Sequence, residues 1–312
     1  MSACSLIRWA DRYQPVWLEH LRLARRAVIR GTDRSDWLAA RGNHEWAPEA
    51  VFVELVSKID ETRTHGVDYM MMEGYSARLF AWNRFERRWR KHLRNHGLDY
   101  FHAHEHATHP FAPKAHKLIE THLMFGFVVR VDARDFKDVY RSGAWGGKAQ
   151  PDSMYGLCFR YCLSFVLQQA LVEFPNRPDL VLNFVVEDGH PNAGAPTTIV
   201  TELKKKRVSG MSEFLGNALP GEKKKIPGLQ AADALAYMAQ RWEDQNPLKI
   251  GIPQDSAIEA LRPQAFTKVP IFYCHADAEE LASFRDGYFE HIRRRQAFGQ
   301  RKPKPNPTSE DA

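Results

Sequence analysis

The stretch from Leu180 to Val186 constrains the fold more than any other segment of this chain. It is a nearly continuous apolar run, which is typical of a central strand covered on both faces. The run ends at Glu187-Asp188-Gly189, so the strand carries a carboxylate at its C-terminal end. Because α/β folds place ligands and catalytic groups at the C-terminal ends of their strands, Glu187 is the first candidate functional residue.

Segments with strand and helix patterns alternate around this run. Strands are predicted at Asp68 to Tyr75, at Phe125 to Val131 and at Val51 to Ile59, although the last spacing would also suit a helix started by Pro48. Helices are predicted at Arg78 to His96, Lys114 to Leu123, Tyr155 to Phe174, Pro191 to Leu203 and Gly228 to Trp242. This order predicts an α/β domain with one mixed sheet flanked by helices on both faces.

The two ends of the chain lie outside this alternation. Residues 1–48 are basic and Trp-rich, and they are predicted to form an N-terminal extension with one or two short helices. Residues 301–312 are rich in Pro and polar residues and are predicted to be disordered. A single domain is therefore expected over residues 49–300.

The apolar segments are too short for a membrane protein. No apolar run reaches the roughly 20 residues that span a bilayer. The N-terminus also lacks the long apolar region of a secretory signal. We therefore expect a soluble, cytoplasmic protein that does not bind a membrane.

The net charge of +6 is clustered along the chain. Basic runs occur at Arg84 to Arg94, Lys204 to Arg207, Lys223 to Lys225 and Arg293 to Arg295. Clustered Lys and Arg favour a nucleic-acid partner, because each phosphate they neutralise releases condensed counterions. The alternative to nucleic-acid binding, for any single run, is an ordinary solvated helix face or loop.

Asp233 is the sharpest of the acidic candidates. On the predicted helix from Gly228 to Trp242 it shares a face with Leu229, Ala236 and Tyr237, so it interrupts an otherwise buried surface. Either it is a ligand for a cation, or it hydrogen-bonds a neighbouring Lys or a backbone amide.

Asp60 and Glu61 end the first predicted strand. An acidic pair at the start of a loop is usually only solvated. A functional role for this pair therefore depends on whether it meets Glu187 and Asp233 in the fold. Carboxylates that meet from strand ends and a helix would form an oxygen-rich site suited to Mg²⁺ or Mn²⁺. Two such ions about 4 Å apart can activate water and stabilise the leaving oxygen in phosphodiester hydrolysis.

The segment Phe101 to His109 holds four His and one Glu. On a strand, His102, His104 and His106 would share one face and could bind zinc. The segment follows Gly97 and runs into Pro110, so a regular strand or helix is doubtful. A His-rich loop, or a His that acts as general base or phosphate contact, is the alternative.

Several of these motifs resemble, in their order, the bacterial and phage family known as domain of unknown function 3800. The family has a strand ending in Asp-Glu-Ser-Gly, a second strand ending in Gly-Tyr, a helix with Trp and Phe, a Phe-His segment with an acidic residue three positions on, and a late Leu-Gln-x-Ala-Asp. The matching segments here are Asp60-Glu61-Thr62-Arg63, Met72-Glu73-Gly74-Tyr75, Trp82 to Trp89, Phe101-His102 with Glu105, and Leu229-Gln230-Ala231-Ala232-Asp233. Glu187 falls where the family has an acidic residue after its apolar strand.

The resemblance implies a ribonuclease H-like fold and, by analogy with that superfamily, a metal-dependent nuclease. Asp60, Glu187 and Asp233 would then bind Mg²⁺ or Mn²⁺, with Glu61 as a fourth ligand. His102 and Glu105 are candidates for positioning water or assisting proton transfer. Lys223, Lys224 and Lys225 would meet the phosphates of the bound strand.

Arg63 departs from the family pattern, which has Gly at this position. Its positive charge could contact phosphate, or it could mark an altered site. The alternative function is therefore a catalytically inactive module of the same fold that binds nucleic acid or a protein partner.

Overall fold

The computed structural model describes residues 53–62, 68–142, 152–175, 177, 179–205, 211–245 and 269–286. The predicted N-terminal extension, the predicted C-terminal tail and Arg63 lie outside these residues. The strands are β1 (Glu54–Thr62), β2 (Tyr69–Arg78), β3 (Phe125–Asp132), β4 (Val181–Glu187), β5 (Leu215–Gly221) and β6 (Ile271–Ala276). The helices are α1 (Leu79–Asn95), α2 (Ala103–His106), α3 (Ala112–His122), α4 (Ala133–Asp135) with a π-helical turn after it (Phe136–Arg141), α5 (Met154–Glu173), α6 (Ala195–Lys205) and α7 (Pro227–Gln245). Residues 278–286 are also helical.

The strands form one mixed sheet in the order β5-β4-β1-β2-β3-β6. Strand β2 is antiparallel to both of its neighbours, β1 and β3, whereas the pairs β1–β4, β4–β5 and β3–β6 are parallel. Every strand except β2 therefore ends at the same edge of the sheet, which we name the C-terminal edge.

Helices cover both faces of the sheet and bury two hydrophobic clusters. On one face, α5 packs against side chains such as Ile59 and Phe184. On the other face, α1 and α7 pack against alternate residues of the same strands, such as Val56 and Tyr75. The predicted mixed α/β architecture with helices on both faces is confirmed.

Local sequence explains where helix α1 ends and where helix α5 begins. In α1 the residues Trp82, Phe85, Trp89 and Leu93 are buried, as their spacing predicts, and Gly97 follows the helix with a positive φ of 69°. Helix α5 starts after Ser153, whose Oγ accepts a hydrogen bond of 3.1 Å from the Gly156 amide.

Three features of the fold differ from the sequence predictions. Only alternate residues of β4 are buried, because β4 lies next to the edge strand β5 while α7 crosses mainly β1 and β2. Helix α6 begins at Ala195 instead of Pro191, because residues 191–194 form a turn in which the Ala193 amide donates to the His190 carbonyl. Strands β5 and β6 were not predicted.

In the described part of the chain, every helix falls short of the length and apolar character that crossing a bilayer requires.

Candidate carboxylate metal site

Asp60, Glu61 and Glu187 converge at the C-terminal edge of the sheet. Glu187 is the last residue of β4, and the parallel pairing of Ile59 with Val186 brings Asp60 alongside it. One ligand atom from each of the three carboxylates lies within 4.8 Å of the others. The sequence analysis expected Asp60, Glu187 and Asp233 to meet, with Glu61 as a fourth acid, and the group that the structure brings together contains Asp60, Glu61 and Glu187.

Lys223 lies among the carboxylates because its loop follows β5, which ends at the same edge. Its Nζ is 3.0 Å from Asp60 Oδ2, 3.0 Å from Glu187 Oε2 and 2.9 Å from Asp233 Oδ1. Burial by itself would lower the pKa of Lys223, but the three carboxylates outweigh it and raise this pKa, so Nζ stays charged. Three carboxylates therefore share the positive charge of one lysine.

Asp60 and Glu187 also share a hydrogen bond. Burial raises the pKa of Asp60 well above its usual value, and the contact with Glu187 raises it further. Burial opposes ionisation of Glu187 too, but the hydrogen bond from Asp60 and the charge of Lys223 lower its pKa overall. The shared hydrogen bond therefore moves the two pKa values in opposite directions, up for Asp60 and down for Glu187.

Asp233 is buried, as its position on the helix predicted, and both of its oxygens have hydrogen-bond partners. Oδ1 accepts from Lys223, and Oδ2 accepts a 2.6 Å hydrogen bond from the Ala103 amide. The alternative derived from the sequence, a bond to a Lys or a backbone amide, therefore holds on both counts. Asp233 lies outside the 4.8 Å group, and its role as a metal ligand stays a prediction.

Gln230 holds the site together, a role that the sequence analysis missed. Its Oε1 accepts from Trp89 Nε1 at 2.8 Å and from the Phe101 amide at 3.0 Å. Its Nε2 donates to the carbonyls of Lys223 at 3.0 Å and Lys224 at 3.3 Å. This buried amide joins α1, the segment after it and the Lys223 loop to α7, which explains why Gln precedes Asp233 in the Leu-Gln-Ala-Ala-Asp segment.

His102 connects the carboxylates to the surface. Its Nε2 lies 3.5 Å from Asp233 Oδ1, and its Nδ1 lies 3.5 Å from Glu105 Oε1. The side chain of Glu105 is 53% exposed, so it lies outside the buried group and reaches it only through His102. The structure therefore brings His102 beside the site and leaves Glu105 at its rim.

The strand that a zinc site of His102, His104 and His106 would need, which the sequence analysis doubted, does not form, and a short helix lies there instead. His104 and His106 belong to the short helix α2, so they do not alternate as they would on a strand. Among the residues described, Asp60, Glu61 and Glu187 form the one group of three potential ligands close enough to share an ion.

Two buried polar groups next to the carboxylates have no hydrogen-bond partner among the residues described: the Tyr155 hydroxyl and Glu73 Oε2. Burial raises the pKa of Tyr155, and the nearby charges of Glu61, Asp60 and Glu187 raise it further. Glu73, opposite Asp60 in the antiparallel ladder, accepts a 3.0 Å hydrogen bond from Thr62 through its other oxygen. Buried polar groups without a partner are rare in proteins, and a bound ion or water is one explanation for them.

The three lysines of the 223–225 run behave differently. Lys223 points into the carboxylates, which corrects the prediction that it meets phosphate. Lys224 lies over the ring of Tyr100, with Nζ 5.2 Å from the centroid, and Lys225 pairs with Glu222 at the surface. Only Lys224 and Lys225 face solvent.

A scan against models of protein families and a search of curated proteins found no match for this chain. The family resemblance drawn from the motifs therefore stays a prediction. What the structure establishes is an acidic group at the C-terminal edge of a mixed sheet, with more acidic than basic side chains among the described residues and a geometry that could bind a metal ion.

Proposed function

We propose that this protein is a nuclease that hydrolyses phosphodiester bonds with a divalent ion, Mg²⁺ or Mn²⁺, bound by Asp60, Glu61 and Glu187. The observation that carries the proposal is the approach of their ligand atoms to within 4.8 Å. Hard divalent cations prefer such carboxylate oxygens, and Mg²⁺ commonly binds through one or two of them with water completing its shell.

The strand arrangement supports the ribonuclease H-like fold that the motif resemblance implies. Strands β1 to β3 form an antiparallel meander, and β4 and β5 are added parallel to β1 on its other side. The acids then lie at the ends of the two adjacent strands β1 and β4. Strand β6 extends the sheet beyond β3.

Electrostatics support a cation at this point. Asp60, Glu61, Glu187 and Asp233 carry up to four negative charges, while Lys223 supplies one positive charge. Burial is the main cause of the raised pKa of Asp60, and the like charges of Glu187 and Asp233 add to it. A divalent ion would allow all of these acids to ionise together.

The contacts of the side chains near the ion suggest the role of each in the proposed reaction. When bound, the metal activates a water molecule and stabilises the leaving oxygen. Lys223 holds Asp60, Glu187 and Asp233 together in the protein without the ion, and its positive charge opposes the binding of a second cation. His102 is partly exposed and lies near Asp233, so it can exchange a proton between the site and solvent.

The test is incubation of the full-length protein with labelled RNA, DNA and RNA–DNA hybrid in Mg²⁺, Mn²⁺ or EDTA. We expect cleavage that requires the metal and that falls by about a thousandfold or more in Asp60→Asn and Glu187→Gln, because each loses a charged ligand. The matched control is Asp132→Asn, which removes a carboxylate at the same edge of the sheet but outside the group. Cleavage that survives in Asp60→Asn would reject the assignment.

A second candidate function is a non-catalytic module that binds nucleic acid. The hydrogen bonds of Lys223 favour it, because the protein already supplies a cation to three of the acids. Calorimetric titration with Mg²⁺ and Mn²⁺ separates the two candidates. A nuclease should bind metal in a manner that depends on Asp60, and a module that has lost the chemistry should bind none.

A further inference from the structure

The outer face of helix α1 is a band of positive charge. Its exposed basic side chains are Arg84, Arg87, Arg88, Arg90, Lys91 and Arg94. The opposite face is the buried stripe that begins at Trp82. The only acid on the helix, Glu86, is paired with Lys58 and Arg90. The band therefore keeps nearly all of its charge.

This charge is not balanced by neighbouring elements. Within the described ranges, no carboxylate comes within 4.0 Å of Arg84, Arg87, Arg88, Lys91 or Arg94. Several of these residues lie four positions apart, as Arg84 and Arg88 do, and like charges at that spacing repel and weaken a helix. A polyanion bound along the helix would relieve the repulsion.

The basic band leads to the carboxylate site. Gln230 ties the buried face of α1 to the Lys223 loop through Trp89, and Arg90 Nη2 approaches the Lys225 carbonyl at 3.5 Å. Lys224 and Lys225 are exposed in this loop, and because Lys225 pairs with Glu222, it is mainly Lys224 that continues the positive surface to the edge of the site. A chain of phosphates following the helix would arrive beside the acids.

An exposed aromatic ring lies at the other end of the band. Phe80 is 56% exposed, and the guanidinium of Arg84 lies 5.9 Å from its ring centroid. An accessible ring next to backbone-binding cations is the usual combination in proteins that bind single strands, because any unpaired base can stack on it.

The exposed ring favours a single strand over a duplex as the ligand. The bases of a duplex are paired and stacked inside it, so Phe80 can stack only on an unpaired base. Helix α3 lies beside α1, with Arg88 Nη1 3.2 Å from His122 Nε2, so α3 borders the basic band on one side.

We propose that the basic band of α1, together with Phe80 and the Lys224–Lys225 pair, binds the backbone of single-stranded nucleic acid. That the bound strand is also the substrate rests on the proposed function. The binding surface itself does not, because it would operate equally in a catalytically inactive protein.

The experiment measures fluorescence anisotropy of a labelled, unstructured oligonucleotide with the full-length protein in EDTA at several salt concentrations. Arg87→Ala/Lys91→Ala should weaken binding by about tenfold or more and lower the slope of log Kd against log salt by about 1.4, since each phosphate contact to a single strand contributes about 0.7. The matched control is Lys204→Ala/Lys205→Ala, which removes two exposed lysines from α6, a helix on the opposite face of the sheet. It should bind as the unmodified protein does.

A second pair of variants tests the aromatic contact. Phe80→Ala should weaken single-strand binding by about tenfold, because it removes a stacking surface. Leu219→Ala is its control, since Leu219 is similarly exposed, at 57%, on the edge strand β5. Circular dichroism should show that all four variants fold, and removing like charges should leave α1 at least as stable.

The proposal is overturned if Arg87→Ala/Lys91→Ala binds as tightly as its control. It is equally overturned if the protein prefers duplex DNA, or vesicles of anionic lipid, to the single strand. Failure of the proposed function gives a different pattern, in which the Arg87→Ala/Lys91→Ala defect remains but no metal-dependent cleavage occurs with any substrate.

Discussion

Two clusters of charged side chains lie at the C-terminal edge of the same sheet, and both use helix α7. The carboxylate site contains Asp60, Glu61, Glu187, Asp233 and Lys223. The second cluster, the arginine network, joins the ends of β3 and β6 to the end of α7 and contains Arg130, Asp132, Glu243, Tyr273 and His275. The two have the same kinds of residue but a different balance of charge.

The arginine network pairs each of its acids. Arg130 Nη1 lies 2.5 Å from Glu243 Oε2, and its Nη2 lies 2.8 Å from Asp132 Oδ1. The second oxygen of Asp132 is 2.7 Å from His275 Nε2, and the Tyr273 hydroxyl donates to Glu243. Two carboxylates thus face one guanidinium, one imidazole and one hydroxyl, and the network is closed.

The carboxylate site has more acids than its cation can pair. Lys223 makes one contact to each of three carboxylates, and Glu61 lies beside them. The comparison indicates that the balance of charge, more than the presence of buried acids, distinguishes a ligand site from a structural network.

The largest effect on stability is expected from Arg130→Met. Removing the guanidinium leaves Asp132 and the nearly buried Glu243 without their partner, so the free energy of unfolding should fall by about 3 kcal/mol. Urea denaturation measures this loss. Adding Mg²⁺ should not restore it, because the network lies outside the acidic group that could hold an ion.

Arg130→Met/Glu243→Gln is the companion variant. It removes the buried charge together with its partner, so it should recover part of the stability. Mg²⁺-dependent recovery in Arg130→Met would mean that the two clusters do not differ as proposed.

A smaller loss of stability is expected from Lys223→Met, and unlike the loss in Arg130→Met it should be reversed by a bound metal ion. Without Nζ, the acids Asp60, Glu187 and Asp233 repel one another, so the metal-free protein should be less stable. The same change makes the site more negative, so Mg²⁺ or Mn²⁺ should bind about tenfold more tightly. Calorimetry measures the affinity, and thermal unfolding with and without the metal measures the recovery.

Lys223→Arg is the control, because it keeps the charge. Its metal affinity should stay close to that of the unmodified protein. Weaker metal binding in Lys223→Met would contradict the proposal, since it would mean that the lysine helps to hold the metal instead of opposing it.

The sequence predicted those parts of the fold in which periodic apolar residues decide the structure. Helix α1 was predictable from the spacing of Trp82, Phe85 and Trp89, and β4 from its apolar run. Strand β5 was not predicted, because Gly216, Asn217 and Pro220 are poor strand formers. Pairing with β4 holds it in the sheet, and the Asn217 amide donates to Asn183 Oδ1 at 2.7 Å.

The candidate site was predictable only in its acids. Strand ends and an interrupted apolar face single out Asp60, Glu187 and Asp233 without any knowledge of contacts. The position of Lys223 depends on how β5 pairs and on the hydrogen bonds of Gln230, and no local pattern encodes either. Glu73 was hidden in a strand, where its pairing with Asp60 follows from the register of β1 and β2.

The smallest effect concerns pH and separates the two clusters by its sign. Burial raises the pKa of Glu73 beside the carboxylate site well above its usual value, so Glu73 contributes stability that is present at acidic pH and is lost as pH rises through the raised pKa. For Asp132, burial opposes ionisation, but the hydrogen bond with His275 and the charge of Arg130 outweigh it and lower the pKa. Its contribution is present above the unfolded pKa of about 3.9 and is lost as pH falls through the lowered value.

Glu73→Gln and Asp132→Asn, compared with the unmodified protein by urea denaturation from pH 3 to pH 8, therefore test the sign directly. The Glu73→Gln protein should gain relative stability as pH rises, because Gln keeps the acceptor for Thr62 but cannot ionise. The Asp132→Asn protein should be less stable at neutral pH, with the difference shrinking below about pH 4. Parallel curves for both variants would contradict this difference in sign, because a raised pKa and a lowered pKa make stability respond to protons in opposite directions.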